Sequence, residues 1–419
     1  MELLSTYFLA PGSVIVALLT LIFLARQSWP YLSYRKKTYQ LSGELTEVDD
    51  AHHLTVSKES EVPEGWWSSR EVFELERRAI FSKSWLYLAH TIQFRKAGAY
   101  QSFDIAGFPI FLIRSKDDKI RAFHNVCRHR AYTITRKETG TSTVLGCRYH
   151  GWSYDTTGRL VKAPQFDGIP GFNKSENSLF EIHSYTTDHG MVFVNLDAGP
   201  PTPFPDSFAS NLDKFAGITG RDSNSIWLAG QTLTRTFNWK CGNTTAELEK
   251  VISAASPPSF AFKFIKMITR HHSRADCHLF PTSYLYSFEN APLWIAVSFL
   301  PASESITQIR YDLFGLSSIT GVKAKLASAV AESIEALLQT IENVFQTVTS
   351  SLVENNPNTR LILEQLQEHA RLEKKSGGQI LPAMRQPKGS SLFQQAEQLC
   401  KEIDCSSSGS GNGSSGLDW

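Results

Sequence analysis

The sequence has almost no excess charge and few cysteines, and both shortages exclude classes of protein. Its 42 basic and 41 acidic residues leave a net charge of +1 over 419 residues, so nothing points to nucleic acid as a partner. The cysteines show no disulfide-framework spacing, which favours a reducing compartment. They are Cys127, Cys147, Cys241, Cys277, Cys400 and Cys405. No strand-loop-helix fingerprint for flavin or nicotinamide is visible, so the chain is not expected to bind either.

Two pairs of metal-ligating residues stand close together in the chain. Cys127 and His129 form a C-x-H pair, seventeen residues follow, and Cys147 and His150 form a C-x-x-H pair. Two thiolates and two imidazoles are the ligand set of a Rieske [2Fe-2S] centre, in which one iron takes both cysteines and the other both histidines. A zinc finger would pair cysteine with cysteine and histidine with histidine, so structural zinc is the less favoured alternative. The pattern predicts two loops that close over one cluster.

The next two residues, Gly151 and Trp152, extend the second pair to C-x-x-H-G-W. With this motif the chain resembles the catalytic (alpha) component of the Rieske non-haem iron oxygenases, including the choline-monooxygenase-like members. The resemblance is specific over about residues 73–197 and looser up to about residue 405. One difference lies in the first loop, where Ala131 stands in place of the glycine that the family often has. This substitution restricts the local backbone.

The resemblance also implies a mononuclear Fe(II) ion held by two histidines and a carboxylate, and here the sequence departs from the family. The histidines usually follow an Asn-Trp-Lys stretch, which this chain has at 238–240, but residues 241–260 contain no histidine. Glu249 lies near the family position of a carboxylate that bridges the two metal centres of neighbouring subunits. Glu249 is only a weak catalytic candidate. The favoured alternative is that its carboxylate lies on the solvated face of a helix.

Other residues are weak candidates for rebuilding the missing iron site. His271, His272 and His278 could converge on a loop, although an exposed polar loop is the favoured interpretation. Three acidic residues on a predicted long helix could supply the carboxylate, but a solvated helix face is favoured for each; they are Glu332, Glu335 and Glu342. A third explanation is that an incorrectly joined gene model has removed the real ligands from residues 241–260.

An uncharged segment over residues 3–25 predicts a membrane helix, since about 20 apolar residues span a bilayer. Glu2 is the only charged residue before this segment, whereas four basic residues follow it closely: Arg26, Arg35, Lys36 and Lys37. The positive-inside rule then places the body of the chain in the cytosol. The expected localisation is a single-pass membrane protein, with the endoplasmic reticulum favoured; a mitochondrial or interfacial segment is the alternative.

The predicted fold class is α+β, with five consecutive parts. A membrane anchor with a basic flank over 1–37 precedes a tether and helix over 38–85. A small antiparallel β Rieske domain is expected over 86–199, an oxygenase-like catalytic domain over 206–405, and a disordered tail over 406–419. The resemblance implies a helix-grip-like catalytic domain, in which an antiparallel sheet packs against long C-terminal helices. Apolar spacing predicts the first of these helices over 322–352.

The favoured functional hypothesis is a membrane-tethered Rieske-type monooxygenase or dioxygenase. The resemblance implies a small organic substrate, dioxygen, and a separate NAD(P)H-dependent reductase or ferredoxin as the electron donor, in a chain that could assemble as a homo-trimer. The alternative is an electron-transfer or regulatory Rieske protein that has lost its mononuclear iron. The residues before Phe260 favour this alternative, whereas the architecture favours the oxygenase.

Overall fold

The computed structural model describes residues 62–219, 225–243, 276–287, 293–316, 323–347 and 358–382. All of them belong to one compact unit, Ser60–Trp419. The predicted anchor and tail lie outside the described residues. So do three of the candidate site residues, Glu249, His271 and His272.

A short helix opens the described part of the chain. Helix α1 spans Arg70–Glu76 and continues as one wider turn over Arg77–Phe81. Ser69 caps its start, since the hydroxyl oxygen accepts the amide of Val72 at 3.3 Å and satisfies a donor that the helix leaves open. Phe73, Ala79, Ile80 and Phe81 of this segment are buried, and Val72 and Leu75 pack against the same core partly buried.

Ten antiparallel strands follow between residues 86 and 195. They are β1 Leu86–His90, β2 Ala99–Ile105, β3 Phe108–Arg114, β4 Ile120–His124, β5 Thr139–Thr141, β6 Val144–Gly146, β7 Ser153–Asp155, β8 Leu160–Lys162, β9 Glu181–Thr186 and β10 Met191–Asn195. Seven of them form one sheet in the order β1-β10-β9-β4-β3-β2-β5, and β6-β7-β8 form a second, smaller sheet. The Ala106-Gly107 turn joins β2 to β3 with both residues at positive φ, the geometry that two-residue hairpins favour.

The second half contains helix α2 and a further antiparallel sheet. Helix α2 spans Asp206–Thr219, and the strands are β11 Ser225–Arg235, β12 Asp276–Leu279, β13 Ser283–Ser287, β14 Leu293–Pro301 and β15 Thr307–Leu316. Two long helices, α3 over Lys323–Thr347 and α4 over Thr359–Ser376, complete the described chain. Within the described ranges the sheet order is β11-β15-β14-β13-β12.

Both faces of this second sheet are covered. Apolar residues of α3 pack on one face against alternate residues of β14, including Ile295 and Val297. The intervening residues of β14, Trp294 and Ala296, pack on the other face with apolar residues from β1, β10 and α2. All nine residues of β14 are buried as a result. One face of the strand therefore packs against α3, and the other packs against the first half of the protein.

A buried carboxylate ties the two halves together. Asp312 on β15 accepts a hydrogen bond from the Gln93 side chain at 2.8 Å and one from the Trp227 indole at 2.9 Å. The Arg310 guanidinium contacts its second oxygen at 2.9 Å, so the buried charge is paired. Gly230 on β11 leaves room for this carboxylate, because a Cβ there would lie 2.2 Å from the Asp312 oxygen.

The fold-class prediction is confirmed in its coarser form, helices combined with antiparallel sheets. The predicted membrane localisation is corrected. Across the part of the chain that the structure describes, no helix has the length and apolar character to cross a bilayer, and charged residues interrupt both long helices, α3 and α4. The segment 3–25 itself lies outside the described residues.

Candidate functional site

Two loops with the same hydrogen-bond pattern carry the four predicted ligands. In the first loop the Cys127 amide donates to the Tyr132 carbonyl at 2.8 Å, and the Ala131 amide donates to the Cys127 carbonyl at 2.9 Å. In the second loop the Cys147 amide donates to the Trp152 carbonyl at 2.7 Å, and the Gly151 amide donates to the Cys147 carbonyl at 3.0 Å. The sequence therefore builds one type of turn twice.

The two loops bring their cysteines together. The Cys127 and Cys147 side chains are hydrogen-bonded to each other, both are buried, and neither is in a disulfide. This hydrogen bond lowers the pKa of the Cys147 thiol to about 6, and the backbone amides of Tyr149 and His150 lower it further by donating to the same sulfur. The hydrogen bond and burial raise the pKa of the Cys127 thiol. Cys147 is thus the thiol that ionises first, and a thiolate is the form that binds metal.

Tyr154 on β7 supplies a hydroxyl to the first sulfur. Its oxygen lies 3.2 Å from the Cys127 sulfur and accepts the Arg128 amide at 3.1 Å. Since a thiolate can only accept, the Tyr154 hydroxyl is the donor of this bond once Cys127 is ionised. Tyr154 is fully buried, so no water competes for this bond.

The two histidines lie side by side at the same point. The His129 ring stacks on Trp152 with the ring centroids 5.0 Å apart, and Phe166 contacts its edge. The His150 ring lies 4.7 Å from His129, measured between centroids, and is only partly buried. Burial and the nearby positive charge of Arg130 lower the pKa of His150, which favours its neutral, metal-binding form.

The arrangement fits an iron-sulfur cluster. It offers two adjacent thiols and two adjacent imidazoles, and amide or hydroxyl donors reach both sulfurs, including the His129 amide at Cys127. Hydrogen bonds of this kind are what cluster sulfurs need around them. The family model "Rieske [2Fe-2S] domain" matches residues 84–173, which contain all of these groups.

The chain contains a Rieske domain. The interpretation of the two ligand pairs as a Rieske motif is thereby confirmed, and the cofactor of this domain is a [2Fe-2S] cluster. The carnitine monooxygenase oxygenase subunit of Acinetobacter baumannii is 32% identical over 184 residues, which cover 42% of this chain and 47% of that protein. The chlorobenzene dioxygenase subunit alpha of a Cupriavidus species is 35% identical over 136 residues, which cover 32% of this chain and 30% of that protein.

The chain therefore spans about half the length, or less, of the curated relatives it matches. Solved structures extend the similarity beyond the Rieske domain. A quaternary ammonium Rieske monooxygenase in complex with gamma-butyrobetaine has a TM-score of 0.57 at 22% identity, over 69% of this chain and 85% of that one. A naphthalene 1,2-dioxygenase with bound indole has a TM-score of 0.55 at 17% identity, over 66% and 78%. At these identities the likeness is one of fold.

The candidates for a second iron site are not brought together by the described residues. His278 lies on β12, where its ring stacks on Tyr284 with the centroids 4.5 Å apart. The expectation of a loop at this position is therefore corrected, because the residue pairs within a sheet. Burial lowers the pKa of His278 to about 4, so its ring is neutral at pH 7. Apart from the four residues on the two cluster loops, no group of three His, Cys, Asp or Glu among the residues that the structure describes could hold a metal ion.

The three acidic candidates on α3 contact nearby protein groups. Glu335 pairs with the Arg235 guanidinium, and Glu342 accepts the Thr236 amide at 3.0 Å, so both fix the end of β11. Glu332 accepts the hydroxyl of Ser328, one turn earlier on the helix, at 3.0 Å.

One functional residue, Tyr154, was missed from the sequence. The available signal was the strand alternation after Trp152, which turns every second side chain of β7 inward.

The first loop is expected to gain stability from an Ala131→Gly substitution. Ala131 has a φ of 55°, and the equivalent Gly151 has a φ of 70°. A left-handed conformation costs a residue with a Cβ roughly 1–2 kcal/mol, and the greater freedom of glycine in the unfolded chain offsets about 0.4–1 kcal/mol of this. The urea unfolding midpoint should therefore rise, by the equivalent of up to about 1 kcal/mol. Ala209→Gly in α2 is the control and should lower it, so a fall in both variants would contradict the argument.

Proposed function

We propose that this protein is a Rieske-type oxygenase that acts on a small organic molecule. The observation that carries the proposal is the packing of the Rieske domain against a second, five-stranded sheet covered by α3. This packing is a fold that the chain shares, over more than two thirds of its length, with a quaternary ammonium Rieske monooxygenase. The proposed boundaries are 86–199 for the Rieske domain and 206–405 for the catalytic domain.

Two cysteines and two histidines of the site would bind the cluster. Cys127 and Cys147 would bind one iron, and His129 and His150 the other; when bound, the cluster supplies one-electron transfer. Tyr154 would hold the Cys127 sulfur by its hydroxyl. Stacking on Trp152 keeps water from His129, whereas His150 lies at the partly exposed edge and would be the cluster ligand closest to solvent.

The partners and the substrate belong to the same proposal. The matched proteins include oxygenase subunits, so a separate reductase or ferredoxin would deliver electrons, and dioxygen would be the second substrate. The names of these proteins include carnitine as well as chlorobenzene, which supports no narrower class than a small organic molecule. A homo-trimer is the proposed assembly, on the resemblance to the family.

A second candidate function is electron transfer without oxygenation. One observation favours it: residues 241–260, where the family places the two histidine ligands of its mononuclear iron, contain no histidine. Carboxylates alone bind ferrous iron poorly, since imidazole is the donor that suits this metal.

Counting metal separates the two functions. The oxygenase is expected to hold three irons and two acid-labile sulfides per chain and to consume dioxygen with a reductase; the electron-transfer protein would hold two of each. If His271, His272 and His278 rebuild the site, changing all three to Ala should remove one iron and leave the cluster spectrum intact. A chain with two irons that consumes no dioxygen would refute the oxygenase.

A further inference from the structure

A loop over residues 163–180, which we call the cover loop, packs on the buried histidine of the cluster site. Its Phe166 ring contacts the edge of the His129 ring, with the centroids 5.1 Å apart. Its Phe172 ring contacts Trp152, the residue on which His129 stacks, with the centroids 5.7 Å apart. Phe166 is 1% exposed and Trp152 is 0% exposed. The cover loop and Trp152 together keep water from His129.

Arg128 connects the first cluster loop to the cover loop. Its guanidinium carbon lies 3.7 Å from the centre of the Phe180 ring, and one of its nitrogens donates to the Glu176 carbonyl at 3.2 Å. Both of these partners belong to the last turn of the cover loop. Arg128 is also the residue between Cys127 and His129 in the chain. A side chain from within the ligand motif therefore contacts the cover loop at two points.

Other contacts attach the cover loop to the small sheet of the Rieske domain. The Lys174 ammonium group donates to the Val161 carbonyl at 3.0 Å, and the Leu179 amide donates to the Gly158 carbonyl at 2.8 Å. Both acceptors precede the cover loop in the chain, whereas Arg128 reaches it from the first cluster loop. Loss of the Arg128 contacts should therefore loosen the cover loop without detaching it.

We propose that Arg128 is a positioning residue of the cluster: its side chain holds the cover loop closed, and the closed loop limits the water that reaches the cluster. The reduction potential of an iron-sulfur cluster depends on its solvent exposure. With two thiolates and two neutral imidazoles, the oxidised cluster is neutral and the reduced cluster carries one negative charge, which water stabilises. A closed cover loop therefore lowers the reduction potential. The proposal requires the Rieske domain alone, so it holds for both the oxygenase and the electron-transfer protein.

The positive charge of Arg128 is the competing explanation, and it predicts the opposite sign. A nearby cation stabilises the reduced, negatively charged cluster, so loss of the charge alone would lower the potential. Variants that keep the charge and lose the contact separate the two effects. Arg128→Lys keeps the charge but lacks the planar guanidinium that stacks on a ring. Phe180→Leu keeps Arg128 and removes the ring.

Hydrogen exchange of the full-length, cluster-loaded protein measures the closure of the cover loop. The amides of Phe166, Ile169 and Phe172 donate hydrogen bonds within the loop, at 3.0–3.1 Å, and report its opening. In Arg128→Lys and in Phe180→Leu these amides should exchange about two- to fivefold faster, the factor expected for the loss of one cation–π contact.

A redox titration of the same proteins, followed by the visible spectrum, measures the consequence for the cluster. The reduction potential should shift upward in Arg128→Lys and in Phe180→Leu. Phe180→Tyr keeps an aromatic ring under the guanidinium, so it should match the wild-type protein in both exchange and potential. Arg70→Lys is the matched control, because the Arg70 guanidinium lies over the Phe73 ring on α1, outside the Rieske sheets. It should change neither quantity.

Three results would overturn the proposal. The first is unchanged exchange of the cover loop in both test variants. The second is a potential that stays constant or falls although exchange is faster. The third is an equal upward shift in Arg70→Lys. If Arg128→Lys fails to load its cluster, Phe180→Leu decides, because it leaves the ligand motif intact. These outcomes are independent of the iron count, which tests the oxygenase itself.

Discussion

Replacing Lys240 by methionine is expected to lower the free energy of unfolding by about 3–5 kcal/mol, because it breaks a buried ion pair. Lys240 and Glu76 are 1% and 0% exposed, and their charged atoms lie 2.5 Å apart. The Trp239 indole donates to the second Glu76 oxygen at 2.8 Å, and the lysine nitrogen lies 4.6 Å from the centre of the Trp66 ring. Without the ammonium group, Glu76 would be a buried carboxylate with no counter-charge.

Two further variants make this prediction specific. Lys240→Met combined with Glu76→Leu removes both charges and should recover most of the loss, because apolar residues often replace a buried pair at little cost. Arg360→Met breaks an ion pair whose side chains are 89% and 57% exposed, and it should change the unfolding midpoint little. Urea denaturation, monitored by tryptophan fluorescence, measures the free energy of unfolding of all three variants. Similar losses for Lys240→Met and Arg360→Met would show that burial is not the cause.

Replacing Cys147 by serine is expected to abolish the cluster altogether. The thiolate of Cys147 would be one of two sulfur ligands to one iron, and two backbone amides are already directed at its sulfur. The visible absorption, the paramagnetic resonance signal of the reduced cluster and the acid-labile sulfide should all disappear.

Cys277→Ser is the matched control for this change. Cys277 is also a buried, free cysteine, but it lies on β12 in the second half of the protein. Its substitution should leave the spectrum of the folded protein unchanged. A cluster spectrum that persists in Cys147→Ser would exclude Cys147 as a ligand.

The cluster site was predictable from the sequence because its ligands are local in the chain. Two short motifs specify two tight loops, and the ligand chemistry specifies what lies between them. Helices α1, α3 and α4 were predictable for a similar reason, since apolar periodicity marks the buried face of each. Strand β12 was not, because its polar and apolar residues alternate over only four positions, which is too short a segment to mark a strand.

Contacts between distant parts of the chain could not be predicted. Nothing in residue order indicates that Glu76 pairs with Lys240, 164 positions away, or that Gln93 donates to Asp312. Such pairs depend on which strands become neighbours, which local patterns do not encode. The membrane prediction was wrong for another reason. It rested only on the composition of residues 3–25, which lie outside the described residues.

The doubly covered strand β14 has a consequence for how this protein can diversify. Trp294 and Ala296 pack against the Rieske half, so a change there disturbs the electron-carrying part of the protein. Ile295 and Val297 lie on the face that α3 covers. Mutations that reshape the interior between sheet and helix are therefore tolerated at every second position only. Among descendants of this sequence, substitutions along β14 should alternate, with the positions that face the Rieske half more restricted than those that face α3.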